Sequence, residues 1–182
     1  MVSIGKPVTW DECWDLVHAI ARRLLGRERH NHTLGATDVV GEVFLRCGED
    51  PPDWRSDAAL RAYFSRIVRH VLVDYARRKG AVKRGGTFQR VELDPALIWH
   101  EDDPGNVLIA EEWVRRLEAH DHQLARMVTM KVFGGMKSAE IGEALGLQPH
   151  TVRRALERAR LFLERDMRRV EDGVDAEREV EG

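Results

Sequence analysis

The chain has 182 residues, enough for one domain or two small ones, and its hydrophobic content of 43% permits a packed core. It contains no run of about twenty apolar residues, and its N-terminus lacks the apolar segment of a secretion signal. Cys13 and Cys47 are too few for a disulfide framework or a cysteine metal site. We therefore expect a cytoplasmic protein with buried thiols and no membrane partner.

Opposite charges are segregated along the chain, although the net charge is only −2. Residues 55–90 carry 10 basic and 2 acidic groups, and residues 122–170 carry 10 and 5. The segment between them, 91–121, has a net charge of −7, and residues 171–182 have −5. Two basic blocks indicate two separate contacts with a polyanion.

A capping box marks the first predicted helix. Thr9 and Glu12 have the spacing of that motif, and an apolar stripe follows it to about Gly26. The polar stretch 27–32 is then predicted to be a loop. Its two histidines have no third ligand at a recognisable spacing, so no metal site is predicted there.

A short second helix is predicted from near Thr37 to Cys47, and the chain then breaks at Gly48 and two prolines. Asp38 and Glu42 are four residues apart, so their carboxylates share one face. A solvated face is the ordinary interpretation of such a pair. The residues expected to face inward are Val40, Val43, Phe44 and Cys47.

The third predicted helix is long, beginning after a cap at Ser56 and reaching about Lys79. Its arginines are expected to lie off the apolar stripe, with Tyr63 exposed beside them. Such a helix can bind nucleic acid, although a surface helix with structural arginines has the same pattern. The stripe consists of Leu60, Phe64, Ile67, Val68, Val71, Leu72 and Tyr75, and the arginines off it are Arg61, Arg69, Arg77 and Arg78.

A linker and a helical hairpin follow. Residues 85–106 contain Gly, Pro and acidic groups and are predicted to be flexible. Residues 107–119 and 122–133 form the predicted hairpin, in which Asp121 caps the second arm and the pair Gly134-Gly135 ends it.

A helix-turn-helix is predicted at residues 137–163. Ser138 is expected to cap a first helix that ends at Leu145, Gly146 to make the turn, and Pro149 to open the second helix. The second helix has an apolar back and a basic front, which suits the major groove of DNA. A solvated helical hairpin with an ordinary charged face is the plain alternative.

The end of the chain offers little to bury. Residues 169–182 are acidic and are predicted to be a disordered tail. The sequence shows no nucleophile–base pair, phosphate-binding loop or metal cluster. We therefore predict no enzyme activity, no catalytic residue, no metal and no cofactor.

Taken in order, these parts resemble the extracytoplasmic-function (ECF) sigma factors of the sigma-70 family over about residues 9–168. Three stretches carry the resemblance: DVVGEVFLR at 38–46, the segment 63–78, and the helix-turn-helix segment 135–160. The resemblance implies an all-α fold of two small helical domains joined by a flexible linker. Region 2-like residues 9–84 would form the first domain, and region 4-like residues 107–168, with the helix-turn-helix, the second.

The resemblance also implies a function and three sets of contact residues. The protein would bind core RNA polymerase, direct it to promoter DNA and help to melt the minus-ten element. Polymerase-binding residues would be Asp38, Glu42, Phe44 and Arg46. Minus-ten residues would be Tyr63, Arg66, Arg69, His70, Arg77 and Arg78. Minus-thirty-five residues would be Thr151, Arg153, Arg154, Glu157 and Arg158.

Some features leave alternatives open. Gly41, His70 and Gln148 stand where the family commonly has Gln, Asn and Ser or Thr, so the promoter sequence is not predicted. An anti-sigma factor is a further partner that the resemblance allows. A helix-turn-helix regulator that binds duplex operators without polymerase is the competing hypothesis, and an enzyme that uses the histidines is a remote one.

Overall fold

A computed structural model describes residues 9–25, 35–47, 56–82 and 107–180, with side chains as far as residue 78 in the third helix and 166 in the last. These residues form seven α-helices and no strand, which confirms the predicted all-α class. The helices are α1 (Trp10–Leu25), α2 (Ala36–Cys47), α3 (Asp57–Val82), α4 (Val107–Glu118), α5 (His122–Val132), α6 (Ser138–Leu145) and α7 (Pro149–Val180).

Predicted capping residues begin three of these helices. Thr9 N donates to Glu12 Oε2 at 3.0 Å, and Glu12 N donates to Thr9 Oγ1 at 3.3 Å. Ser56 Oγ accepts from Ala59 N at 3.2 Å. Asp121 Oδ1 accepts from two backbone N–H groups in the first turn of α5, at 2.9 and 3.0 Å. Each contact pairs an N–H group that the helix itself leaves without an acceptor.

The start of α6 corrects one prediction. Ser138 is the first helical residue rather than the cap, and Lys137 holds the extended N-cap position with φ −78° and ψ 158°. Glu140 Oε2 accepts from Lys137 N at 2.6 Å, so the helix start is stabilised from within its first turn. Gly146 ends α6 in the left-handed conformation with φ +68°, and Pro149 opens α7, both as predicted.

The hydrophobic core runs through both groups of helices. Helices α1, α2 and α3 pack against one another, and α4 to α7 form a second group. Helix α3 also packs against α4, α5 and α6, so Phe64 on α3 and Trp113 on α4 belong to one cluster of buried residues. The division into two domains remains a prediction, because the linker lies outside the described residues.

Helix α7 is longer than the sequence suggested. It runs to Val180 and includes most of the tail that was predicted to be disordered from residue 169. After Pro149 the segment has no further proline and is rich in Glu, Arg, Ala and Leu, which are strong helix formers. Across the described residues, no helix is both long and apolar enough to cross a membrane.

Candidate functional site

The predicted recognition helix, α7, has the two faces that the sequence pattern indicated. All five residues predicted to read the minus-thirty-five element are exposed, while the apolar stripe on the opposite side is buried. The exposed residues are Thr151, Arg153, Arg154, Glu157 and Arg158. The buried ones are Val152, Leu156, Ala159 and Leu163.

Two carboxylates modulate this basic face. Asp121 Oδ2 lies 3.4 Å from Arg158 Nη2, but the Arg158 side chain is 69% exposed, so the pair is weak and easily exchanged for another anion. Glu157 Oε1 accepts from Arg160 Nη2 at 2.8 Å. Hydrogen bonding to Arg160 lowers the pKa of Glu157, which favours the ionised carboxylate on this face.

A tight turn fixes α7 against α6. Leu147 N donates to Gly142 O at 2.8 Å. A Cβ atom at Gly142 would lie 2.5 Å from the Leu147 carbonyl oxygen, so only glycine allows the turn to pack this closely on α6. The angle at which α7 presents its exposed face therefore depends on this contact.

The predicted polymerase-binding residues lie along α2 and differ in their surroundings. Asp38 is exposed and Glu42 is half-buried. Asp38 Oδ2 also accepts from Gly35 N at 2.7 Å, so it stabilises the start of α2 in addition to any contact with a partner. Arg46 Nη2 lies 3.0 Å from Asp74 Oδ2, which ties α2 to α3.

Phe44 packs within the protein rather than standing free. Its ring lies edge-on to Trp10 at a centroid distance of 4.7 Å and stacks on Trp14 at 5.7 Å. The expectation that Phe44 faces inward agrees with these contacts. Leu45, which sequence reasoning passed over, is instead the exposed apolar residue of α2, at 82%.

Arg69 departs most from the sequence-based expectation. It was predicted to lie on an exposed basic front, but it is only 6% exposed. Arg69 Nε donates to Glu111 Oε2 and Nη1 to Glu118 Oε1, both at 2.7 Å. Burial on its own lowers the pKa of Arg69, but hydrogen bonds to the two carboxylates outweigh burial and raise it. The prediction of exposure is wrong because α4 covers this part of α3.

Tyr63 was predicted to be exposed and is instead half-buried. Its ring meets Phe64 edge-on at 5.4 Å, and Arg66 Cζ lies 5.8 Å from the ring centroid. Burial raises the pKa of Tyr63, and its hydroxyl is hydrogen-bonded to the thiol of Cys47. The tyrosine therefore links α3 to the end of α2 and keeps only part of its ring accessible.

The other predicted minus-ten residues lie on the exposed side of α3. Arg77 Nη2 lies 3.7 Å from Glu111 Oε1, and Arg78 Nε donates to the backbone oxygen of Asp74 at 3.4 Å. Partial burial, followed by the charge of Arg69, lowers the pKa of His70. Arg66 and His70, the other two predicted minus-ten residues on this side of α3, also have exposed side chains.

Comparison with known proteins decides the family. A family model described as ECF sigma factor matches residues 6–169.

The chain belongs to the ECF sigma factor family.

Its similarity to a curated relative is modest. Over 162 residues it is 25% identical to the ECF RNA polymerase sigma factor SigE of Mycolicibacterium smegmatis (strain ATCC 700084 / mc(2)155). The aligned region covers 84% of this chain and 59% of that protein, so the chain spans less than two thirds of its relative. No solved structure matches the chain.

In this ECF sigma factor, a cleft beside the predicted recognition arginines is also lined by two residues that were not predicted from the sequence. A cleft of about 360 Å³ lies between the start of α5 and α7, where Arg154 and Arg158 line it. Gln123 and His150 line it too, and both are exposed. His150 could have been predicted from the sequence, because it is next to Thr151 in the predicted recognition helix. Gln123 could not, because it lies on another helix, α5.

Candidate metal ligands do not cluster in the part of this ECF sigma factor that the structure describes. Within those ranges, no group of three or more His, Cys, Asp or Glu side chains is placed to hold an ion. The histidines at 30 and 32, the two candidate metal ligands in the sequence, lie outside the described residues. Both cysteines are free thiols, with Cys13 buried and Cys47 half-buried.

Proposed function

We propose that this chain is an RNA polymerase sigma factor of the ECF type. It binds core RNA polymerase, directs the enzyme to specific promoters and helps to melt the minus-ten element, and it does so in the cytoplasm. The family match over residues 6–169 carries this proposal. Members of the family are not enzymes, and we propose that this chain makes or breaks no covalent bond itself.

The exposed face of α7 supports a role in reading duplex DNA. Guanidinium groups above an apolar back can reach base edges in the major groove while the back remains packed on α6. The arginines of α3 support a second contact, with DNA near the melted strand. We assign residues 9–84 and 107–168 to these two tasks, with 85–106 as the linker between them and an anti-sigma factor as a further partner.

The decisive experiment combines the chain with core RNA polymerase. We expect the two to co-purify and the complex to start transcription on genomic DNA at discrete sites, which sequencing of the transcript ends would map. Core polymerase alone is the control, because it lacks promoter specificity. A regulator of the ordinary helix-turn-helix class would instead bind duplex operators as a dimer and add no initiation.

The recognition arginines should separate into two kinds. Replacing a base-reading arginine among Arg153, Arg154 and Arg158 by alanine should relax preference at one base pair by about 1–3 kcal/mol. Replacing a phosphate-contacting arginine should weaken binding to all DNA sequences by the same factor and reduce the salt dependence of binding. Transcription from a promoter library, at several salt concentrations, measures both effects.

Arg165→Ala is the matched control, because it removes an exposed arginine two helical turns beyond Arg158. It should leave both sequence preference and salt dependence unchanged. If Arg153→Ala, Arg154→Ala and Arg158→Ala all behave like this control, the DNA-reading face of α7 has been assigned incorrectly.

Tyr63 should act when the DNA strands separate. An aromatic ring that stacks on an unpaired base contributes about 1–3 kcal/mol. We expect Tyr63→Ala to impair strand opening more than initial binding, and a template with a pre-opened minus-ten bubble to restore most activity. Tyr63→Phe, which keeps the ring and loses the hydroxyl contact with Cys47, should open promoters nearly as well as the parent.

The half-buried position of Tyr63 requires a stability control. Tyr75→Ala removes a second half-buried tyrosine from the same helix. Melting temperatures and transcription on closed and bubble templates should be measured for all three variants. If Tyr63 has only a structural role, Tyr63→Ala should lower the melting temperature, and the bubble template should not restore transcription.

A further inference from the structure

Arginines surround a cavity of about 250 Å³ at the junction of α3, α5 and α6. Arg66 and Arg69 line it from α3, and Arg126 lines it from α5. Among the described residues of the lining, Glu118 of α4 supplies the one carboxylate, so three arginines and one glutamate give a net charge of +2. A cavity with this charge is expected to attract a small anion.

Arg69 is the buried arginine of this lining, and its hydrogen-bonding groups are only partly used. It is 6% exposed. Its Nε donates to Glu111 Oε2 and its Nη1 to Glu118 Oε1, both at 2.7 Å, whereas Nη2 has no acceptor within the described ranges. Because buried N–H groups are normally hydrogen-bonded, this nitrogen favours a further acceptor in the adjoining cavity.

Arg66 and Arg126 add two guanidinium groups that no carboxylate neutralises. Both are exposed, and neither forms an ion pair in the part of the chain that the structure describes. Arg66 Cζ lies 5.8 Å from the centroid of the Tyr63 ring, a cation–π contact that keeps this charge beside the cavity. Guanidinium groups bind phosphate oxygens through short charge-assisted hydrogen bonds, so these arginines suit a phosphate group.

The rest of the lining is largely apolar. The half-buried ring of Tyr63 lies on one side of the cavity and Met130 of α5 on the other, with the small residues Ala59 and Ala62 on α3 and Ala144 on α6. Aromatic rings and thioethers both pack well against a flat ring. Small-molecule sites combine such surfaces with a few polar groups that fix the orientation of the ligand. The lining therefore suits a ligand that has both a phosphate and a flat ring.

The volume of the cavity limits the size of this ligand. At about 30 Å³ per water molecule, the cavity has room for roughly eight waters. That space admits one ring with its phosphate but not a chain of several nucleotides. The cavity is open to solvent beside the exposed Arg66 and Arg126, so part of a ligand can remain in water.

We propose that this cavity is a binding site for a nucleoside monophosphate. Arg66, Arg126 and Nη2 of Arg69 hold the phosphate, and the base packs between Tyr63 and Met130. The bound nucleotide joins α3 to α5 and stabilises the folded chain by mass action. This site goes beyond the sigma-factor function, because binding of the nucleotide requires neither polymerase nor promoter.

Isothermal titration calorimetry of the free, full-length chain tests the site. The probes are AMP, GMP, CMP and UMP at concentrations up to about 1 mM, with inorganic phosphate and the matching nucleosides as references. We expect at least one nucleotide to bind with one-to-one stoichiometry. It should bind at least about tenfold more tightly than either reference, because the phosphate and base contacts act together. The same nucleotide should raise the melting temperature.

Arg126→Met tests the phosphate contact. It removes an exposed guanidinium group from the cavity, keeps an apolar stem, and leaves every residue of the proposed DNA contacts unchanged. We expect nucleotide binding to weaken at least about tenfold, because a hydrogen bond to a charged group is lost. Arg22→Met removes the same charge from an exposed position on α1 and is the matched control. The control should bind the nucleotide as the parent does.

Ala144→Leu tests the location of the site. Ala144 lines the cavity from α6, so a larger side chain there should occupy the space of the ligand and abolish nucleotide binding. Ala139→Leu makes the same change at an exposed position of the same helix and should have no effect. Circular dichroism checks that each variant folds. If Ala144→Leu does not fold, Arg126→Met still gives the result.

Several outcomes would overturn the nucleotide site. One is that no nucleotide binds, and another is that Arg126→Met or a folded Ala144→Leu binds as tightly as its control. Equal affinity for inorganic phosphate and nucleotide would exclude the base contact and with it the proposed ligand class. Binding of a single-stranded oligonucleotide without binding of any mononucleotide would assign these arginines to DNA alone. The sigma-factor function is judged separately, by transcription with core polymerase.

Discussion

Replacing Trp113 by alanine is expected to lower the free energy of unfolding by about 3–5 kcal/mol. Trp113 is 1% exposed on α4, and α4 packs against α3, α5 and α7. Within the described residues its Nε1 has no hydrogen-bond partner, so the loss comes from packing alone. The cavity left by the indole cannot close without moving several helices. Urea denaturation followed by circular dichroism would measure the change.

Trp14→Ala provides the matched control for Trp113→Ala. Trp14 is 41% exposed and stacks on Phe44 at 5.7 Å, so its truncation removes less buried surface. We expect a clearly smaller loss and an unchanged denaturant slope. An equal loss in the two variants would contradict a central structural role for Trp113.

The double reversal Asp38→Lys/Glu42→Lys is expected to have the largest effect on polymerase binding. Well-formed charged contacts of this kind contribute about 1.5–3 kcal/mol each. The two carboxylates lie on one side of α2, and reversal would place two cations against a partner surface that we propose to be basic. The dissociation constant for core polymerase, measured by fluorescence anisotropy of the labelled chain, reports the change.

Asp38 requires a separate structural control, because it also accepts a hydrogen bond from Gly35 N at 2.7 Å. Asp38→Asn keeps a side-chain acceptor there and removes only the charge. Asp15→Lys/Glu143→Lys changes the net charge equally at two exposed positions on other helices. If the Asp38/Glu42 reversal binds core polymerase as tightly as this charge control, the polymerase-binding assignment is incorrect.

Local signals in the sequence located most helix ends. The Thr9–Glu12 capping box, the Asp121 cap and the Gly146 stop each act within one turn, so their residue types alone indicate where a helix begins or ends. Ser138 shows the limit of this reasoning. Lys137 and Ser138 are adjacent, so either could occupy the N-cap position. The helix begins after Lys137, where Glu140 accepts a hydrogen bond from Lys137 N.

Periodicity also identified which side of α7 is exposed, since its buried stripe packs on neighbours that are close in sequence. The same method was wrong for α3. It placed Arg69 on a basic front and Tyr63 in solvent, but a stripe shows only which residues share a face. Which helix covers that face depends on residues that are distant in sequence.

By itself, the sequence determined the helical class, most helix boundaries and the polar face of the recognition helix, because these depend on interactions within a few residues. Only the tertiary structure decided that Arg69 is buried, since its partner Glu111 is 42 positions away. Arg23 likewise reaches an oxygen 109 positions away. Pairing at such separations depends on how the helices pack, and no local pattern encodes which distant carboxylate or carbonyl will meet a given guanidinium group.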